Sequence, residues 1–419
     1  MKCSRVLLLA SLATTMLLSL FPMNAFSEKL LHQSNLKYIG AFRLTKERLG
    51  CDSWEDCVFA YGGRPIAVDP NGNEGKGSLF IGSHIYSQKI AEVSIPKPID
   101  SNDLKNLNTA SILQDFHDIT EGHRQNILEN GAPYGQTVHP GGLIVYGDKL
   151  IGSVFTYYPG ETQILSHYVS SKNLSEIGDF AGMYKIGTAV DARFLAGYMD
   201  TIPLKWQEKL GGTTITGGGG IPSPGKTSTG PSAFAFDPSD LGLKKPAPAN
   251  TLMYYTLKNP LAVPDSTNSM FNLTTQLRGV VFPEGTDSVL FFGNIGVGKY
   301  CYGVGTSDLA LLGKPLPEIP DVKYDCYDPG DSSKGTHAYP YKYQVWAYNA
   351  HDFVKVRKGE LNPWDVKPYE IWNLALPFQP VRAEILGTSY DKKNRKLYIS
   401  QAHGDGDNPL IHVFEIVSE

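Results

Sequence analysis

The chain has 419 residues, 41% of them hydrophobic and 19% charged, which supplies enough apolar material for a sizeable core. A formal net charge of −4 excludes a broad basic surface, and with it nucleic acid as a partner; any anionic ligand needs a local basic pocket. The 43 Gly, 28 Pro and 23 Tyr favour many short strands and turns over long helices.

Residues 1–27 read as a secretory signal peptide. Lys2 and Arg5 give the positive start, residues 6–20 a mostly apolar run, and Ala25 and Ser27 small side chains near a cleavage point. The run is too short and too interrupted for a membrane span, and no later segment reaches spanning length. The expected product is secreted or periplasmic, with residues 28–419 as a single catalytic domain and no membrane span. Cys51, Cys57, Cys301 and Cys326 remain after export, where disulfides are the default. The expected pairs are Cys51 with Cys57 and Cys301 with Cys326, the rival for the second being a structural zinc shared with His337.

One hairpin pattern recurs: a glycine, an apolar strand, a turn rich in Asp, Asn, Gly or Pro, and a second apolar strand ending on small residues. It occupies 62–82 (GGRPIAVDPNGNEGKGSLFIG), 142–153 (GLIVYGDKLIGS), 279–293 (GVVFPEGTDSVLFFG) and 387–400 (GTSYDKKNRKLYIS). Residues 232–238 are a candidate first strand of another copy. Repeated antiparallel hairpins point to an all-β fold of radially arranged blades, a β-propeller. At roughly 40–50 residues per blade, the expectation is about seven blades, with six or eight as alternatives. The first strand, near 37–44, and the last, near 411–416, are expected to share a blade and close the ring. Segments 115–141, 211–230 and 312–341 read as long loops over one face, and 103–113 and 203–210 as short helical turns. The run 405–408 (DGDN) reads as a turn or as half of a calcium loop.

The loop 115–141 carries His117, His123 and His139, with His139 fixed just ahead of a strand. These types suit the cleavage of a uronic-acid polysaccharide. Abstraction of the proton α to a carboxylate builds charge on that carboxylate, which Arg or His must neutralise. A base takes the proton and an acid protonates the leaving oxygen. Neutral imidazole suits the base role, and a phenol serves as acid, or as base if arginine stabilises its anion. Candidates of the right type are His123, His139, Tyr184, Arg64, Arg193 and Arg278, with His337 as an exposed candidate among the tyrosines and tryptophans of 324–372. His84 and His403 end equivalent hairpin strands, which argues for a structural role in at least one. No G-x-S-x-G or H-E-x-x-H motif is present. For a hydrolase with paired carboxylates, Asp118 and Glu121 are the first suspects.

The segments YIGAFRL, SLFIGSH, IAEVSIP, GGLIVYGDKLI, LAGYMDTIP, RGVVFPEGTDSVLFFG, CYGVGT and KGTHAYPYKYQVWAY together resemble a group of exported bacterial proteins, over nearly the whole chain after residue 27. Within that group are the ulvan lyases of polysaccharide lyase family 25, seven-bladed propellers that cleave a sulfated algal polysaccharide by β-elimination. The resemblance implies a uronate-binding cleft with His123 and His139 as active-site histidines, Tyr184 as catalytic tyrosine and Arg193 as the carboxylate-neutralising arginine. Arg64, Arg278 and His337 complete the expected substrate contacts. No metal enters the expected chemistry, because Arg and His can neutralise the carboxylate; zinc or calcium remains open as a structural ion. The expected protein is a monomer acting on an acidic polysaccharide, and the alternative is a non-catalytic propeller binding glycan or protein in the envelope.

Overall fold

The computed structural model describes residues 28–47, 51, 53–157, 162–220 and 225–417; the expected signal at 1–27 lies outside them. The architecture is all-β. β1 (Leu36–Arg43) is followed by an antiparallel sheet of β2 (Ile66–Asp69), β3 (Ser78–Gly82), β4 (Ile90–Ser94) and β5 (Ile112–His117). The next sheet holds β6 (Val138–Tyr146), β7 (Lys149–Thr156), β8 (His167–Ser171) and β9 (Ala181–Tyr184). A third holds β10 (Tyr198–Thr201), β11 (Thr214–Gly217), β12 (Ala233–Phe236) and β13 (Ala249–Met253). After β14 (Gln276–Val281) and β15 (Ser288–Gly296), the chain makes a small mixed sheet from β16 (Cys301–Thr306), β17 (Tyr324–Tyr327) and β18 (Lys334–His337). It then completes the fourth large sheet with β19 (Tyr341–Asn349) and β20 (Glu370–Leu374). β21 (Ile385–Asp391), β22 (Lys396–Asp405) and β23 (Asn408–Ile416) form the last sheet, whose fourth strand is β1. As the sequence predicts, the two ends share this sheet, with Leu36 opposite Ile416 and Arg43 opposite Leu410.

The four sequence copies are the first two strands of four of these sheets. The first strands touch in a cycle: β2 against β6, β6 against β10, β10 against β14, β14 against β21, and β21 against β2. The recurring glycines make this approach feasible. A Cβ on Gly142 would lie 2.5 Å from the Met199 backbone, on Gly279 2.1 Å from Thr388, and on Gly387 2.8 Å from Ile66. The described residues hold five four-stranded sheets rather than the seven expected from length. Long connections and the β16–β18 insertion take up the remaining chain.

Apolar runs such as SVLFFG are explained by burial on both faces. In β15, Val289 and Phe291 join one core cluster, with Ile215, Val280 and Trp346. Leu290 and Phe292 join another, with Val345, Leu397 and Ile399. Successive side chains of a strand point to opposite faces, so one strand feeds the two cores on either side of its sheet. Five main clusters result, each between neighbouring sheets.

Two of the expected loops contain strands: β11 lies within 211–230, and β17 and β18 lie within 312–341. The candidate first strand at 232–238 is β12, the third of its sheet. The predicted helical turn at 203–210 is the helix Leu204–Leu210. Both disulfides form as paired in the sequence reading, Cys51 with Cys57 and Cys301 with Cys326. Residues 405–408 are the turn of the β22–β23 hairpin, and the Asp405 carboxylate is held by Arg43 Nε at 2.8 Å and Lys46 Nζ at 2.9 Å.

Candidate active site

In an antiparallel hairpin, the start of the first strand and the end of the second lie at the same edge. Arg64 stands just before β2, His139 and Arg278 near the starts of β6 and β14, Tyr157 just after β7, and Glu384 just before β21. The cycle of first strands therefore brings residues more than 300 positions apart to one edge. Three of the candidates read from the sequence, Arg64, His139 and Arg278, meet there around Tyr157.

Arg278 Nη2 donates to Tyr157 Oη at 3.1 Å and to Gln276 Oε1 at 3.3 Å, and Nη1 donates to the Leu277 carbonyl at 3.2 Å. The Arg64 charge acts on the same Tyr157 hydroxyl. Arg64 Nη2 also lies 3.5 Å from His139 Nδ1. The Tyr157 ring meets the His139 ring edge to face with centroids 4.4 Å apart, and the Arg278 guanidinium lies over Phe155 at 5.7 Å.

Both guanidiniums are buried. Two like charges out of water are tolerated only beside acceptors and counter-charge; here these are Tyr157 and Glu384. Burial alone would push the Tyr157 hydroxyl up, but Arg278 and Arg64 outweigh it and hold the phenol below its ordinary value. His139 is driven down to about 3, by burial first and then by Arg64 and Arg278, so its imidazole is neutral at neutral pH. Arginine can only donate; His139 Nδ1 therefore accepts and its proton sits on Nε2. A cleft of about 210 Å³ opens beside Arg64, lined also by Tyr61, Pro140, Glu384, His403 and Asp407.

The other expected residues lie elsewhere. His123 is exposed at the start of a 3-10 turn, stacked on Phe180 with centroids 5.0 Å apart, and its Nδ1 meets Asn126 Nδ2 at 3.1 Å. Tyr184 is on β9, the far edge of the sheet, with its ring against Gly242. Three strand spacings, roughly 14 Å at ~4.8 Å each, separate β9 from β6. Arg193 precedes β10 but is 0% exposed, and its Nε and Nη2 each donate to the Asp191 carboxylate at 2.9 Å. Its charge is met inside the protein, so it is not placed to neutralise a ligand. Asp118 and Glu121 accept hydrogen bonds from nearby turns, Asp118 from Thr120, Gly122 and Arg124 and Glu121 from Gly178 and Asp179.

His337 is also buried, contrary to its reading as exposed. Nδ1 lies 2.9 Å from Asp328 Oδ2 and Nε2 3.1 Å from the Ser333 carbonyl. Two acceptors require a proton on each nitrogen, so the ring is an imidazolium inside the insertion. Burial opposes that charge, but Asp328 prevails and raises the His337 pKa. Burial likewise opposes the Asp328 carboxylate, yet hydrogen bonds from His337, Tyr341 and Gly330 hold it below the ordinary value. The signs follow from linkage. The raised histidine stabilises fully below its unfolded value of about 6.5 and loses this as pH rises through its folded value. The lowered aspartate stabilises above its unfolded value of about 3.9 and loses this as pH falls through its folded value. His337→Gln is expected to cost about 3–5 kcal/mol between these limits, read as a Tm difference from the parent that shrinks toward alkaline pH. A difference unchanged from about pH 5 to 9 would contradict the pair.

Tyr157 was not singled out by any motif. The available signal was positional, since it follows the second strand of a repeated hairpin, as His84 does.

No family model and no curated protein matches the chain. Among solved structures it is similar to a glycosyl hydrolase from Bacteroides ovatus, at 11% identity and a TM-score of 0.38, over 93% of this chain and 96% of that one. It is also similar to a member of the duf4221 family from Bacteroides vulgatus, at 10% identity and a TM-score of 0.35, over 92% and 98% of the two chains. Likenesses this distant assign neither fold nor chemistry.

Proposed function

We propose that the chain is a five-bladed β-propeller and a polysaccharide lyase of the periplasm or extracellular space, acting by β-elimination at a uronic acid. The observation that carries this reading is the Tyr157 hydroxyl held between Arg64 and Arg278 beside a neutral His139. The cycle of first strands supports the propeller. Two disulfides fit an oxidising compartment, and no helix among the described residues is long and apolar enough to cross a membrane.

The two arginines stabilise a phenolate at Tyr157, and that phenolate takes the proton from C5 of the uronic acid. Charge moving onto the substrate carboxylate is met by Arg64 and Arg278, with the His139 Nε2 proton as a further donor. The C5–H electron pair forms the C4–C5 double bond as the bond from C4 to the bridging oxygen breaks. Tyr157, now a phenol, returns the proton to the departing oxygen and regains its starting state. No water is consumed and nothing is oxidised.

The substrate proposed from the family resemblance is ulvan. Incubation with ulvan is expected to produce the ultraviolet absorbance of the unsaturated uronate along with falling viscosity. A second reading has one feature in its favour, since the carboxylates of Glu384 and Asp407 line the same cleft. A hydrolase using them would release reducing ends with no new absorbance. Retardation on an ulvan gel with neither product would instead favour a binding module.

A further inference from the structure

We infer that the cleft continues into a sugar-stacking subsite built from Trp54, Tyr61 and Tyr86, so that the ligand is a chain of several pyranose units with its acidic unit at Arg64. This rests on the reading that the cleft takes an acidic glycan.

Three large aromatic side chains stand in solvent around one buried histidine: Trp54 is 45% exposed, Tyr61 46% and Tyr86 76%, while His84 is 4% exposed. Ring centroids lie 5.3, 5.7 and 5.1 Å from His84 for Trp54, Tyr61 and Tyr86, the first two contacts being edge to face. Tyr61 makes a further edge contact with His403 at 5.6 Å.

The rings are held in place. Trp54 opens a 3-10 turn that ends at Cys57, whose disulfide to Cys51 closes the loop. The Tyr86 amide donates to His84 Nδ1 at 3.2 Å, and the His84 amide donates to the Val58 carbonyl at 3.0 Å. Tyr61 has a left-handed φ of 53°, rare for an aromatic residue. Its amide donates to the Asp407 carbonyl at 2.8 Å.

A group of large aromatic rings gathered in solvent around one side chain marks an interaction site. Such rings match the apolar C–H face of a pyranose, and order little on binding because they are already fixed. Tyr61 and Arg64 line the same cleft, so the aromatic group adjoins the cationic one. That combination fits a carbohydrate bearing a carboxylate, whereas an uncharged apolar ligand would make no use of the Arg64 charge.

The test uses the full chain with Tyr157→Phe, so that substrate is not consumed, and titrates it calorimetrically with ulvan disaccharide and hexasaccharide. Trp54→Ala with Tyr86→Ala, both exposed positions, is expected to weaken hexasaccharide binding by roughly 10–100-fold, at about 3–10-fold per ring. Disaccharide affinity and the Tm stay as in the parent. Hexasaccharide binding that is unaffected or absent would overturn the subsite, as would equal loss for both sugars. Competition by tetramethylammonium would also overturn it by making the rings a cation cage. If the rings govern hexasaccharide binding while the unsubstituted protein forms no unsaturated product, the subsite stands and the lyase reading fails.

Discussion

Tyr157→Phe is expected to lower the initial rate of double-bond formation by about 10²–10⁴-fold, because one hydroxyl is both the base and the acid of the elimination. The substitution keeps the ring and its edge-to-face contacts with His139 and Phe155. The fold should therefore survive, with a Tm somewhat below that of the parent because buried guanidinium donors lose an acceptor. His123→Ala and Tyr184→Phe provide the contrast. One side chain is exposed at a turn and the other lies at the far edge of its sheet, and both variants should keep rates within a few-fold of the parent. The reverse pattern, with Tyr157→Phe active and the other two inactive, would return the chemistry to the residues implied by the family resemblance.

Arg278→Gln should have the next largest effect, at about 10²–10³-fold in kcat/KM near neutral pH, in line with removal of one preorganised electrostatic group. Its signature is the pH dependence. Arg278 is the larger of the two charges that hold the Tyr157 phenol low against the effect of burial. With it gone the phenol moves up, the phenolate fraction at a given pH falls, and the rising limb of kcat/KM shifts to higher pH. Part of the loss should then return under alkaline conditions. Arg278→Lys, which keeps a charge but not the two-pronged geometry, should shift the limb less. An unmoved limb in both variants would mean that Arg278 has only a structural role.

The sequence and the structure agree where local pattern decides the outcome. The four glycine-led hairpins are legible because turn chemistry and apolar strands are local, and each became the first pair of a sheet. The fifth pair, β10 and β11, was hidden because the helix Leu204–Leu210 replaces its turn. Without that pair, division by length led to seven blades, and the β16–β18 insertion inflated the number further. The candidate site was legible in part. Arg64, Arg278 and His139 stand beside the repeated strands, so their placement follows from the hairpins. Tyr157 was one of 23 tyrosines, and only closure of the cycle sets it against two arginines from other sheets. Arg193 was misjudged for a similar reason. Its position before β10 matches the others, but Asp191, two residues back, turns its guanidinium inward. His337 was misjudged because its partner Asp328 lies across a small sheet that the sequence presents as a loop.

The most direct test is an ultraviolet titration of phenolate in the parent and in Tyr157→Phe. Arginine pressure on one hydroxyl predicts a single tyrosine ionising below the ordinary value of about 10, present in the parent and missing from the variant. Curves that superimpose below that value, or an early transition that survives the substitution, would contradict it.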